Sequence, residues 1–113
     1  MKATLLVALL AFASLPAYAG GDAGAGAQKT KACAACHGAN FDTPISADIP
    51  RLAGQHEDYL VRALTDYKSG ERKNPIMDAQ AGALSAQDIR DIAAYLSGLK
   101  GTLKVIPLQR FVR

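Results

Sequence analysis

Cys33-Ala34-Ala35-Cys36-His37 sets two thiols and an imidazole at positions i, i+3 and i+4. On a helix those positions share one face, so the three groups point the same way. This suits a flat macrocycle: the thiols can add to its two vinyl groups while the imidazole binds its iron. Cys-x-x-Cys-His is the attachment signal for c-type haem. Two other chemistries use the same thiols. A redox dithiol normally accompanies a βαβ pattern, and none is visible here. A closed zinc site needs four ligands, and the chain adds only His37, His56 and carboxylates to Cys33 and Cys36.

A six-coordinate haem iron needs a second axial ligand, usually Met, His, Cys or Tyr. If both cysteines attach the haem, Met77 is the one methionine left after residue 19. It falls in Asn74-Pro75-Ile76-Met77, read as a loop between helices that carries the thioether over the haem face. The bland alternative is core filler, the commoner fate of methionine. His56 competes for the same place. Its neighbours Gln55, Glu57 and Asp58 are polar and fit a solvated or helix-capping histidine better. Tyr59, Tyr67 and Tyr95 fit amphipathic core positions. A thioether favours ferrous iron and raises the reduction potential. With both axial positions filled, no site is open for substrate. The remaining chemistry is one-electron transfer, and the chain is expected not to be an enzyme.

These residues must be positioned by a short chain of 113 residues. Residues 1–19 read as a secretory signal peptide: a basic start at Lys2, an apolar run to Leu15, and Ala17-Tyr18-Ala19 for cleavage. The apolar run falls short of the ~20 residues that span a bilayer, so no stable membrane insertion is expected after cleavage. The expected location is the periplasm. Beyond residue 19, Val, Ile, Leu and Phe together number 19, a thin supply for a core. Small scaffolds compensate with a staple, and two cysteines three apart would close almost no loop. Burying a few hundred Å² of porphyrin, at about 25 cal/mol per Å², would supply several kcal/mol. The formal charge of +3, or +2 without Lys2, is too weak for nucleic-acid binding.

Three helices are expected. The first runs from Asp22 or Ala25 to His37, with Asp22 as N-cap and Gly38 as the terminating glycine. The second covers residues 57–69, opened by Glu57 and Asp58 and closed by Lys68 and Gly70; Leu60, Leu64 and Tyr67 form its apolar stripe. The third starts at Ser85, with Asp88 completing a capping box, and ends at Ser97 before Gly98. Its apolar positions are Ile89, Ile92, Ala93 and Leu96. Residues 39–56 and 70–84 read as long loops, broken by Pro44, Pro50 and Pro75. No window alternates as a strand would. The fold class is all-α, with a domain over residues 20–98 and an extension over residues 99–113.

The chain resembles the class I cytochromes c over about residues 26–98. The likeness rests on Cys33-Ala34-Ala35-Cys36-His37-Gly38, Pro50-Arg51-Leu52-Ala53-Gly54, Met77 and the terminal Ala94-Tyr95-Leu96. Gly54-Gln55-His56 and Tyr59-Leu60 are especially similar to one domain of the tandem dihaem cytochromes c of bacteria. The resemblance implies a class I cytochrome c fold, one haem c attached through Cys33 and Cys36, and axial ligands His37 and Met77. It implies that the Pro50 carbonyl accepts the other ring N–H of His37, and that Gly26 lets the first and last helices cross closely. It further implies a monomeric electron carrier between a quinol–cytochrome c reductase and a terminal oxidase or reductase. A subunit of a dehydrogenase or oxidase complex is the main alternative. A haem sensor or peroxidase-like enzyme with an open coordination position is the other. Lys29, Lys31, Lys68, Arg72 and Lys73 are expected to ring the exposed haem edge and steer acidic partners.

Overall fold

The computed structural model describes residues 20–104, so the expected signal peptide and most of the C-terminal extension lie outside the described residues. Within them are five helices and no strand: α1 (Ala23–Lys29), α2 (Lys31–His37), α3 (Glu57–Ser69), α4 (Pro75–Gly82) and α5 (Ala86–Ser97). The expected second and third helices appear with the boundaries the caps dictate. Ser85 and Asp88 form the reciprocal capping box at the start of α5. At the end of α3, Gly70 takes the left-handed conformation, with φ of 82°.

Two expectations are corrected. The first helix is divided at Thr30, whose ψ is 2° rather than the helical value near −42°. Hydrogen bonds still bridge the division, from Thr30 N–H to the Gly26 carbonyl and from Ala34 N–H to the Thr30 carbonyl, both 3.1 Å. The cause is local: the Thr30 hydroxyl donates back to the Ala27 carbonyl at 3.1 Å, a contact that bends helices. The second correction lies in residues 70–84, read as loop. Pro75 starts α4 instead of breaking structure, because proline suits the first helical position. Asn74 caps the helix, its side chain accepting from the N–H groups of Ile76 and Met77 at 3.0 and 3.1 Å. Met77 therefore sits on a helix.

Helix α1 crosses α5, and α3 packs against both α5 and α4. The α1–α5 crossing is unusually close. A Cβ at Gly26 would lie 2.0 Å from the Asp91 carbonyl oxygen and 2.8 Å from the Tyr95 Cβ. Only glycine fits there, as the resemblance implied. The core gathers Phe41, Ala53, Leu60, Ile92, Ala93 and Leu96, with Cys33 and Ala34 of the attachment helix packed on its edge.

The connection from α2 to α3 is folded on itself around Phe41. This residue has φ of 57°, a conformation that non-glycine residues seldom adopt. Its carbonyl accepts from both Leu52 N–H at 2.8 Å and Ala53 N–H at 3.0 Å. The Phe41 ring is buried and meets Tyr95 edge-on, with centroids 6.1 Å apart. The end of α5 and the chain after it lie on this loop: Gly54 N–H donates to the Leu96 carbonyl at 3.0 Å, and Thr102 N–H donates to Asp42 Oδ1 at 2.9 Å.

Candidate haem-attachment site

The attachment sequence occupies most of α2, and its three chemical groups do share the helix. His37 ends α2 and is 6% exposed. Its Nδ1 lies 2.8 Å from the Pro50 carbonyl oxygen. A carbonyl can only accept, so Nδ1 carries a proton, and in the neutral ring the lone pair is on Nε2. An imidazole held in that tautomer by a backbone carbonyl is oriented to bind metal through the other nitrogen. The Pro50 carbonyl is delivered by the folded loop, whose two runs are joined through the Phe41 carbonyl. Gly38 permits the turn out of α2 at φ of +90°, where a Cβ would meet the Thr43 carbonyl oxygen at 2.2 Å. With ψ of 152° the terminating glycine lies outside the left-handed helical region.

Cys33 and Cys36 are half-buried free thiols. Burial pushes the Cys33 thiol up from its ordinary pKa. A reactive dithiol instead needs a depressed thiol pKa, so the site is poorly suited to disulfide exchange. Among the described residues, no group of three or more His, Cys, Asp and Glu side chains could hold a metal ion. The donor set of α2 therefore suits a closed zinc site poorly. It suits a large flat group: two thiols and one oriented imidazole on a helix bordering the apolar core.

Met77 is half-buried on α4. Lys68 of α3 donates to the Gly82 carbonyl at 3.1 Å and satisfies the end of that helix. His56 takes the N-cap position of α3, where it makes no side-chain capping bond. An open depression of about 730 Å³ is lined by Gly20, Gly21, Glu57, Asp58, Val61, Arg62, Thr65 and Arg90. None of the expected haem residues borders it.

Of the five cations expected in the basic rim, Lys29 alone is ion-paired among the described residues. Lys29 is drawn into the α1–α5 crossing, with Nζ 2.7 Å from Asp88 Oδ1 and 2.6 Å from Asp91 Oδ2. Arg72 donates to the Tyr59 hydroxyl at 3.3 Å and lies over the Tyr67 ring, 5.0 Å from its centroid. Lys68 is engaged with Gly82. Lys31 and Lys73 are exposed and make no ion pair among the described residues.

Sequence reasoning missed the group that absorbs Lys29. Asp91 is 3% exposed. It accepts from Asp22 N–H at 2.8 Å, Lys29 Nζ at 2.6 Å and Gln87 Nε2 at 2.7 Å. These donors, the Asp22 N–H foremost and Lys29 next, lower its pKa to about 2. Lys29 and then the Ser85 N–H lower Asp88 to about 2 as well. No local pattern announces a pair whose members stand 62 residues apart.

The family model for cytochrome c matches residues 22–100. The chain is similar to cytochrome c4 of Pseudomonas aeruginosa, 45% identical over 98 residues, which are 85% of this chain and 48% of that protein. It is also similar to cytochrome c-553 of Helicobacter pylori, 43% identical over 70 residues, 62% of this chain and 73% of the relative. Among solved structures, reduced recombinant cytochrome c4 from Pseudomonas stutzeri superposes with a TM-score of 0.68 at 41% identity, covering 74% of this chain and 48% of that one. The chain thus spans about half the length of the cytochrome c4 relatives it matches.

Proposed function

The chain belongs to the cytochrome c family, whose members carry electrons on covalently attached haem c, and on that premise we propose that it is a periplasmic one-electron carrier with one His/Met-ligated haem. In this reading Cys33 and Cys36 form the two thioethers. His37 binds the iron through Nε2, and Met77 supplies the sixth ligand from α4. Haem c supplies a reversible ferric–ferrous couple; everything else is the work of the chain. Pro50 fixes the tautomer and aim of His37. Cys33 and Ala34 join the attachment helix to the core. The close crossing at Gly26 holds α1, and through it α2, against α5.

The observation that carries this reading is the 2.8 Å contact between His37 Nδ1 and the Pro50 carbonyl. It commits one ring nitrogen to the backbone and leaves the other free for a metal. The expected partners are a donor such as a quinol–cytochrome c reductase and an acceptor such as a terminal oxidase or reductase. Lys31, Lys68, Arg72 and Lys73 are exposed and make no ion pair among the described residues, and in this reading they attract acidic surfaces, a contribution to encounter rate more than affinity. No helix among the described residues is long and apolar enough to cross a membrane.

Ile45 and Ile76 are 70% and 66% exposed, which supports a second reading as a haem-bearing subunit of a dehydrogenase or oxidase complex. Purification from the periplasmic fraction separates the two. A free carrier elutes as a monomer, and a subunit elutes with larger chains. The primary test is the absorption spectrum. Haem that stays with the polypeptide through acetone extraction supports thioether attachment, and a weak methionine-to-ferric charge-transfer band supports Met77. Haem lost to acetone would sink the assignment.

A further inference from the structure

We propose that Thr102 is a positioning residue for His37: it ties Asp42 to Arg51 across the folded loop and so holds the Pro50 carbonyl against the imidazole. The inference rests on the reading of His37 as the iron's histidine.

The loop between α2 and α3 doubles back, so that Phe41-Asp42 runs beside Arg51-Leu52-Ala53. Internally the two runs are joined through one acceptor, the Phe41 carbonyl. Thr102 adds a second tie from outside the loop. Its hydroxyl donates to Asp42 Oδ1 at 3.0 Å and accepts from Arg51 Nη1 at 2.9 Å, while its N–H donates to the same Oδ1 at 2.9 Å. A hydroxyl can do both at one atom; a methyl of the same shape can do neither. Arg51 directly follows Pro50, so the tie closes one peptide away from the carbonyl that meets His37.

The close fit of the neighbouring backbone is an independent sign that this segment is a strap. A Cβ at Gly101 would lie 2.8 Å from the Ala53 carbonyl oxygen and 2.9 Å from Asp42 Oδ1. A Cβ at Gly54 would lie 3.2 Å from the Leu99 carbonyl oxygen. The strap therefore touches the loop at Asp42, Arg51, Ala53 and Gly54. The Asp42 carboxyl is held below its ordinary pKa, first by the Thr102 N–H, so the acceptor stays ionised at neutral pH.

The consequence is electronic. A firm hydrogen bond from Nδ1–H raises the basicity of a metal-bound imidazole, and stronger donation favours the ferric state. Slackening the strap weakens the bond and raises the reduction potential.

The test uses the haem-loaded full chain. Thr102→Val removes the hydroxyl and keeps the shape. Gly101→Ala pushes the strap away while leaving the hydroxyl in place. Both are expected to shift the potential upward in redox titration, with the methionine charge-transfer band retained. Thr102→Ser is expected to restore the wild-type potential. Wild-type potentials in both Thr102→Val and Gly101→Ala would overturn the inference. So would an equal shift in Thr102→Ser, which would assign the effect to packing, or loss of the charge-transfer band in Thr102→Val, which would assign it to the other axial side. His37→Ala keeps the two failures apart. If it abolishes the six-coordinate spectrum while Thr102→Val changes nothing, only the strap inference falls; if it leaves the spectrum intact, the reading of His37 falls and the inference with it.

Discussion

The histidine side of the molecule and the methionine side are built to different tolerances. His37 is surrounded by contacts between residues distant in sequence. Its helix continues α1, which is locked onto α5 by Gly26, Lys29, Asp88 and Asp91. Its ring is fixed by Pro50, and the loop bearing Pro50 is tied through Phe41 and Thr102. Met77 rides on an eight-residue helix whose one buried residue is Ala81. That helix packs on α3 and is tied at its ends through Asn74 and Lys68, with exposed hydrogen bonds. Segments with few buried apolar contacts and exposed hydrogen bonds open more easily than those with many. The comparison teaches that the two residues proposed as axial ligands are held differently. His37 is built into the core's architecture, and Met77 sits on a short helix at its margin.

The largest effect should come from the histidine side. Gly26→Ala places a Cβ 2.0 Å from the Asp91 carbonyl oxygen. Neither backbone can yield without separating α1 from α5. The expected cost exceeds the roughly 1–3 kcal/mol usual for an overpacked core. It should appear in thermal unfolding and in a sharp fall in holoprotein yield. A variant that melts like the wild type would mean that the crossing carries little of the stability assigned to it.

On the methionine side, Met77→Ala should spare the fold and change the chemistry. The haem should stay bound through Cys33 and Cys36 and ligated by His37. The potential should fall, because the thioether's preference for ferrous iron is lost. Carbon monoxide should bind the reduced variant readily and the wild type poorly. Redox titration and carbon monoxide difference spectra decide the matter. Identical behaviour of the two proteins would make Met77 core filler and send the search to His56.

The same division explains what could be read from the chain alone. Helices α3 and α5 were legible to the residue because their boundaries are written locally, in Glu57, Asp58, Gly70, Ser85, Asp88 and Gly98. Helix α4 carried an equally local signal, Asn74 before Pro75, which was misread because proline also breaks helices. The bend at Thr30 depends on a single hydroxyl choosing the Ala27 carbonyl, and no residue pattern requires that choice. The site's chemistry was expected from Cys33, Cys36 and His37, and two supports, Pro50 and Gly26, came with the resemblance; the remaining supports were not legible. Lys29 looked like a surface cation, because its partners Asp88 and Asp91 become neighbours only once α1 lies on α5. Thr102 stands 60 residues from Asp42 and 51 from Arg51.

Acid should probe the histidine side selectively. Asp88 and Asp91 have folded pKa values of about 2 against an ordinary 3.8. A group whose pKa is depressed on folding contributes stability above its unfolded pKa, and that contribution is lost as pH falls towards its folded pKa. The melting temperature of the holoprotein should therefore drop between about pH 4 and pH 2. Asp91→Asn should lower the melting temperature at pH 7 and flatten the drop in the acid range. An acid profile as steep in Asp91→Asn as in the wild type would move the titrating groups elsewhere.

The smallest effect is also the one that measures the looseness of the methionine side directly. Asn74 accepts from the N–H groups of Ile76 and Met77 at 3.0 and 3.1 Å, and its own N–H donates to Asp78 Oδ1 at 3.2 Å. Asn74→Ala removes the side-chain cap and leaves the helical residues unchanged. Loss of such a cap costs about 1 kcal/mol. If α4 opened only when the whole molecule opened, that cost would appear as an equal drop in global stability. If α4 opens by itself, the cost falls on the local step, and global unfolding moves less. Urea titration of the ferric holoprotein follows the two steps separately. The methionine charge-transfer band reports Met77, and the far-ultraviolet circular dichroism reports the helices as a whole. The band should fade at lower urea in Asn74→Ala than in the wild type, while the dichroism midpoint shifts little. Coincident midpoints for both probes in both proteins would show that α4 is as firmly integrated as α2, and the contrast between the two axial sides would collapse.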